Sequence, residues 1–214
     1  MAAASGALLE FERAVGRARG AVRRAETAAT ADEADWRASA PGRVSAAADS
    51  LQALAEAGDG QRAALGRLLD ATAGGALAER PRIAVVDAVT GALLALTDSR
   101  ALRRTATTDR PGLGPPGPTA GYRPGAALDR YLRARDRRCR FPGCRRPVPR
   151  GGELDHDRPW PDGPTSATNL VGYCTPHHRG KHQAPGWRHE LATDATLTVT
   201  TPSGLRAAST PPPF

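Results

Sequence analysis

All three cysteines and all five histidines of this 214-residue chain lie between Cys139 and His189, and four of them form two closely spaced pairs. Cys139 and Cys144 enclose "RFPG", a Pro-Gly turn that aims two thiols at one place, while Cys174 and His177 enclose Thr175-Pro176. Two ligand pairs held on turns fit a tetrahedral structural zinc, which takes sulfur and nitrogen ligands and keeps no open position. Three cysteines cannot complete a disulfide set, and in a reducing compartment they more often mean a metal. The alternative, ordinary buried thiols near a surface imidazole, leaves the paired spacing unexplained.

Thr175-Pro176 reads as an N-cap followed by proline at the first helical position, so a helix is predicted through "HHRGKHQ" until Pro185-Gly186 stops it. On that helix His178 and His182 stand at i and i+4, one turn apart on one face, the spacing a shared metal requires. His177 has Lys181 at i+4, and a protonated lysine cannot ligate a metal. His177 therefore belongs with Cys174, and His178 with His182 serves a second purpose. Gly180 in mid-helix costs about 1 kcal/mol against alanine, so this short helix is expected to rely on metals for its order. Upstream, Glu153-Leu154-Asp155-His156 reads as a strand ending at a Pro-rich loop, with Asp155 offering a hard oxygen beside an imidazole.

The formal net charge of +8 sits where these ligands sit. From Arg130 to Arg188 there are thirteen basic against five acidic residues, whereas the rest of the chain is balanced. A codon bias toward arginine would spread the excess evenly, so the segment reads as a polyanion-binding surface. The N-terminus lacks a cationic start followed by a sustained apolar run, and no stretch is long and apolar enough for a bilayer. The expectation is a cytoplasmic protein without a membrane partner.

Residues 6–73 are rich in Ala, Leu, Arg and Glu, with helical spacing broken at Ala40-Pro41-Gly42 and Gly58-Asp59-Gly60, which predicts three helices with narrow apolar faces. "RIAVVDAVTGALLALT" predicts two short strands about a turn near Thr90-Gly91, although a buried helix fits so short a run as well. "GAALDRYLRARDRR" has Leu128, Tyr131 and Leu132 at helical spacing and leads into the first cysteine. "WRHELATDATLTVT" predicts a terminal hairpin in which His189 is structural or exposed; Trp187 is expected against the metal-bound helix, and Trp160 as a loop anchor or base-stacking residue. The expected division is a helical region over 1–80, short strands and a Pro/Gly-rich linker over 81–121, a zinc-containing domain over 122–206 and a disordered tail over 207–214.

"CRFPGC", "LDHDRPWPDGPTSATNL" and "YCTPHHRGKH", in that order, resemble the HNH endonuclease family, the ββα-metal nucleases. The nearest likeness is to a bacterial branch in which a helical N-terminal region of unknown function precedes a zinc-stapled nuclease. The resemblance spans residues 122–205, and the N-terminal region matches only loosely and looks shorter. It implies an α+β fold, a ββα-metal nuclease domain with structural zinc behind a mainly helical region. It also implies metal-dependent hydrolysis of DNA phosphodiester bonds, leaving 5′-phosphate and 3′-hydroxyl ends. By position, the first family histidine falls on His156, the asparagine on Asn169, and the last histidine on His178 or His182. The residue before the first histidine, Asp155, is then a ligand, so that Asp155, His178 and His182 hold one divalent ion. His156 becomes the general base, and Asn169 fixes the loop that orients it. Two imidazoles and a carboxylate leave Mg2+, Mn2+, Ni2+ and Zn2+ all open.

In a regular strand Asp155 and Asp157 share a face and His156 points away, so the resemblance implies an irregular strand end, which Arg158-Pro159 makes reasonable. Motif register favours Asp155 over Asp157 as the ligand, leaving Asp157 as a solvated loop carboxylate. Arg137, Arg138, Arg140, Arg145, Arg146, Arg150, Arg179 and Lys181 are the candidate phosphate contacts on DNA, with RNA left open as a substrate and any protein partner of the helical region unidentified. The rival reading is a zinc-stabilised nucleic-acid-binding module without cleavage. It keeps the basic surface and cysteine pairs but has no use for Asp155, His156, Asn169, His178 and His182 together.

Overall fold

The computed structural model describes residues 2–71, 82–107, 113–148 and 153–214. The chain begins with helix α1, Ala2–Ala38, whose run of alanine and long straight side chains is strongly helix-forming. Ser39 ends it: its hydroxyl accepts from the amide of Gly42 at 3.2 Å and, with Pro41 in the next first turn, starts the short α2, Ala40–Ala46. Helix α3, Ser50–Ala71, follows. It runs unbroken through Gly58-Asp59-Gly60, correcting the expected break there, because flanking Ala and Leu residues outweigh two isolated glycines. The helices therefore number three as expected, but the divisions fall at Ser39 and between Ala46 and Ser50.

Strands β1, Arg82–Val86, and β2, Leu93–Asp98, form an antiparallel hairpin. Its turn is organised by Asp87, whose carboxylate accepts from the amides of Val89 and Thr90 and the hydroxyl of Thr90. Helix α4, Ser99–Thr107, was not expected; the Asp98 carboxylate starts it by accepting from the amide of Ala101 at 2.8 Å. Helix α5, Ala126–Asp136, then buries Leu128, Tyr131 and Leu132 against Leu93, Ala167 and Leu170. The Tyr131 hydroxyl donates to the Leu93 carbonyl at 2.9 Å. The hairpin is thus part of the same core as the C-terminal half.

Strands β3, Leu154–His156, and β4, Leu170–Gly172, pair antiparallel with Leu154 opposite Gly172 and His156 opposite Leu170. Helix α6, Thr175–Gln183, follows β4 after two residues, with Cys174 rather than Thr175 at its N-cap. Strands β5, Arg188–Leu191, β6, Leu197–Thr200, and β7, Arg206–Ser209, make a third antiparallel sheet in the order β5-β6-β7, one strand more than the predicted hairpin. A second core cluster joins this sheet to the cysteines: Val171, Tyr173, Leu197 and Val199 pack with Cys139 and Cys174.

The two cores meet at a buried ionic knot. Asp136 is fully buried and accepts from Arg135, Arg140 and the amide of Gly172. Arg135 also donates to the carbonyls of Ala167 and Leu170, and Arg140 to those of Ala195 and Ser209. These acceptors give each guanidinium a carboxylate and two carbonyls, the condition for burying such charges. The segment 207–214 is not a disordered tail. It carries most of β7, then packs Pro213 on Gly91, where the Phe214 amide donates to the Gly91 carbonyl at 3.0 Å and the Phe214 ring lies under the Arg137 guanidinium. The observed architecture is α+β, with a helical N-terminal region. Among the described residues no helix is long and apolar enough to cross a membrane.

Candidate metal centres

The "RFPG" turn closes on itself through the Cys144 amide and Phe141 carbonyl, and the Cys139 amide bonds the Arg146 carbonyl at 2.7 Å. This places the first two thiols at the start of α6, where Cys174 and His177 lie one helical turn apart. His177 presents Nδ1, 3.3 Å from Sγ of both Cys139 and Cys174, while the Cys144 and Cys174 sulfurs are 3.9 Å apart. Four ligands at zinc bond lengths span tetrahedral edges of about 3.4–3.8 Å, so the set fits a zinc-sized cation. Phe141 fixes the imidazole plane by stacking on it at 4.1 Å. Burial pushes the Cys139 and Cys144 thiols up and the His177 imidazole below its ordinary value. Buried thiols so disfavoured as anions are stabilised when a cation takes the place of their protons. All three cysteines are free of disulfides.

A second group gathers on the hairpin and the helix that follows it. Asp155, His178 and His182 bring one ligand atom each within 4.8 Å of one another. Asp155 Oδ1 lies 3.8 Å from His178 Nε2, and Oδ2 lies 3.2 Å from His182 Nε2. Glu153, absent from the expected site, explains why His178 turns Nε2 inward: its carboxylate takes Nδ1 of that ring. Glu153 lies just before β3 with a positive φ of 53°, so strand alternation does not link it to Asp155.

His156 sits differently from what an irregular strand end would require. The ladder is regular through His156 and continues with the Asp157 amide on the Asn169 carbonyl, so Asp155 faces α6 while the imidazole turns to the 157–169 loop. There it is buried, stacks on Tyr122 at 5.2 Å, and meets Thr165 Oγ1 through Nε2 at 2.9 Å. Thr165 is itself within 3.3 Å of the Tyr122 carbonyl, which only accepts, so the hydroxyl proton goes there and Nε2 donates to the hydroxyl. That fixes a tautomer with a bare Nδ1. Burial lowers the pKa of this imidazole, Lys181 lowers it further, and Asp155 opposes both. Thr165 has no motif signal that could have announced it.

Asn169 bonds the backbone of the loop: its amide donates to the carbonyls of Arg158 and Pro164 at 2.9 and 2.8 Å, and its oxygen accepts from the Arg158 amide at 2.9 Å. Gly163 closes against this cradle so tightly that a Cβ there would lie 2.3 Å from the Arg158 carbonyl oxygen and 2.6 Å from Asn169 Nδ2. Asp157 is not a solvated carboxylate. Its Oδ1 is buried without a hydrogen-bond partner, because the extended pairing turns this side chain to the Asp155 face.

The expected phosphate contacts are mostly engaged elsewhere. Arg140 is buried in the ionic knot, and Arg137 donates to the carbonyls of Pro212 and Pro213. Arg138 and Arg145 both pair with Asp32 and Asp35 of α1. Lys181 donates to Asp155 Oδ2 at 2.8 Å and to the His156 carbonyl, and is mostly buried. Arg146 and Arg179 are exposed, and Arg150 lies outside the described residues. His189 is structural, its Nδ1 being 2.9 Å from the Tyr173 hydroxyl. Trp187 packs on Phe141 of the cysteine turn, and Trp160 is partly exposed and edge-on to Tyr122.

Curated relatives exist in Mycobacterium tuberculosis. An uncharacterized protein, Rv2100, of strain H37Rv is 45% identical over 83 residues, which cover 39% of this chain and 15% of the relative, and the uncharacterized protein MT2160 of strain CDC 1551 matches to the same extent. A second H37Rv protein, the uncharacterized Rv3776, is 43% identical over 83 residues, 39% of this chain and 16% of its own length. The match therefore spans about a sixth of these longer proteins. No family profile and no solved structure matches the chain.

Proposed function

We propose that the chain is a metal-dependent HNH endonuclease of the ββα-metal fold that hydrolyses DNA phosphodiester bonds, with a structural zinc on Cys139, Cys144, Cys174 and His177. The observation that carries this reading is the convergence of Asp155, His178 and His182 from a hairpin and its following helix. His156 is next in the chain but turned to the opposite face of β3, so a phosphate has to sit at the end of the strand to meet both. A purely structural metal would need a closed ligand set, and this one has three ligands, two of them partly exposed. One carboxylate and two imidazoles suit Mg2+, Mn2+, Ni2+ or Zn2+. A divalent ion held there supplies charge stabilisation to the phosphate and the leaving oxygen.

The chain's own groups supply the rest. His156 Nδ1 accepts the proton of the attacking water, with Nε2 anchored on Thr165 so that the ring keeps its tautomer and plane. The oxygen of that water bonds to phosphorus as the bond to the sugar 3′ oxygen breaks, and that oxygen takes a proton from solvent, leaving 5′-phosphate and 3′-hydroxyl ends. Asn169 holds the loop that carries Thr165. Exposed Arg146 and Arg179 neutralise neighbouring phosphates.

His156→Ala separates this reading from a binding module. The variant is expected to shift DNA in a gel as wild type does, keep its zinc, and lose nicking of supercoiled plasmid by at least 100-fold. Undiminished nicking would remove His156 from the mechanism, and a wild type that binds DNA without nicking it under any divalent ion would leave a binding module.

A further inference from the structure

Lys181 stands inside the candidate catalytic centre, 2.8 Å from the same Asp155 oxygen that His182 approaches. Its side chain is 12% exposed and that of Asp155 is 7% exposed, so this is an internal ion pair, not a surface cation waiting for a phosphate. The ammonium also donates to the carbonyl of His156 and lies 6.0 Å above the Tyr173 ring. One cation thus ties the ligand carboxylate to the backbone of the residue that carries the base. Helix geometry explains the reach: Lys181 sits three residues after His178 and next to His182, on the side of α6 that covers the end of β3.

We infer that Lys181 is a positioning residue that holds Asp155 Oδ2, restricts Asp155 to offering Oδ1 to a divalent ion, and keeps the His156 backbone in place. This rests on the nuclease reading of the site. A carboxylate free at both oxygens can chelate, which raises affinity for a hard cation and fills a position that substrate needs. A fixed positive charge beside the ligand also weakens cation binding by direct repulsion. Lys181 therefore keeps the site open and the ion exchangeable, at the cost of affinity.

The test is Mn2+ binding to the zinc-loaded full chain by calorimetry and Mn2+ paramagnetic resonance, in wild type, Lys181→Met, Lys181→Arg and Asp155→Asn. Mn2+ is the probe because a hard ion does not compete for a thiol-rich site. Lys181→Met is expected to bind Mn2+ about tenfold tighter than wild type yet nick plasmid at least tenfold more slowly. Lys181→Arg, which retains the charge, should stay within about threefold of wild type in both. A residue with only a structural role would weaken Mn2+ binding when removed, so unchanged or weaker binding in a folded Lys181→Met overturns the inference. If Lys181→Met melts below the assay temperature, Lys181→Gln, which keeps a donor for the His156 carbonyl, carries the same expectation of tighter binding. Wild type that binds no Mn2+, or binds it equally well as Asp155→Asn, overturns this inference; the nuclease reading falls with it only if wild type also fails to nick plasmid under Mg2+, Ni2+ and Zn2+.

Discussion

At the scale of single residues, His178, His156 and Asp155 each lean on a side chain from another segment, namely Glu153, Thr165 and Lys181. Short-range spacing identifies Cys139, Cys144, Cys174 and His177, and the i, i+4 relation identifies His178 and His182, because turns and helices translate sequence distance directly into space. Glu153, Thr165 and Lys181 act through partners on other elements, and no local pattern marks them. Lys181 was read as a phosphate contact because composition records charge without its partner. Two predictions belong here. Cys144→Ser is expected to lose the zinc and unfold the C-terminal half, measured by metal content and a melting curve; retained zinc with unchanged melting would refute the ligand set. Asn169→Ala strips partners from the Arg158 amide and two carbonyls, and at about 1 kcal/mol for each hydrogen bond is expected to cost roughly 2–4 kcal/mol in denaturant unfolding. A loss under 1 kcal/mol would mean that water replaces the side chain.

At the scale of elements, the strands and helices around the site follow from periodicity, and the errors came where a signal was too local. Gly58 and Gly60 were given more weight than their helical surroundings allow, and α4 depends on a carboxylate cap from the preceding strand. The docking of α1 was invisible because its determinants, Asp32 and Asp35, lie more than a hundred residues from Arg138 and Arg145. That contact ties two guanidiniums of the cysteine-turn face to carboxylates where phosphates could otherwise bind. Asp32→Asn with Asp35→Asn is expected to tighten DNA binding about three- to tenfold and steepen its salt dependence, since more cations become available to phosphate. Weaker or equal binding in a fluorescence anisotropy titration would show that α1 does not compete with DNA. Hydrogen bonds from Arg145 and Arg138 hold the Asp35 carboxyl below its usual range. A carboxylate with a depressed folded-state pKa contributes stability above its unfolded value and loses it as pH falls through the folded one, so this docking is expected to persist at neutral pH and release only in strong acid.

Across the whole molecule, helix α5, the cysteine turn and the C-terminal sheet are tied into one body by Asp136 and its two arginines, and the hairpin β1–β2 joins it by packing on α5. The expected divisions at residues 121 and 206 fall beside segments rich in Pro and Gly, a composition that reads as linker whatever the segment packs against. Removing the central anion leaves two guanidiniums buried with only neutral partners, four backbone carbonyls and the Ser209 hydroxyl. Asp136→Ala is therefore expected to destabilise the C-terminal half by roughly 3–5 kcal/mol, read from urea unfolding. A change below about 1 kcal/mol would show that Arg135 and Arg140 find solvent or other acceptors. The same body positions the hairpin and α6, so catalysis should fall only as far as the folded fraction does.

The measurement that bears most directly on the nuclease reading is plasmid nicking by zinc-loaded protein, freed of other divalent ions by chelation and then supplied with Mg2+, Mn2+ or Ni2+. Wild type is expected to nick only after an ion is returned, with Asp155→Asn inactive under every ion and its zinc undiminished. Nicking without added ion by protein that holds a single zinc per chain, or nicking that survives in Asp155→Asn, would contradict a metal-dependent centre at Asp155, His178 and His182.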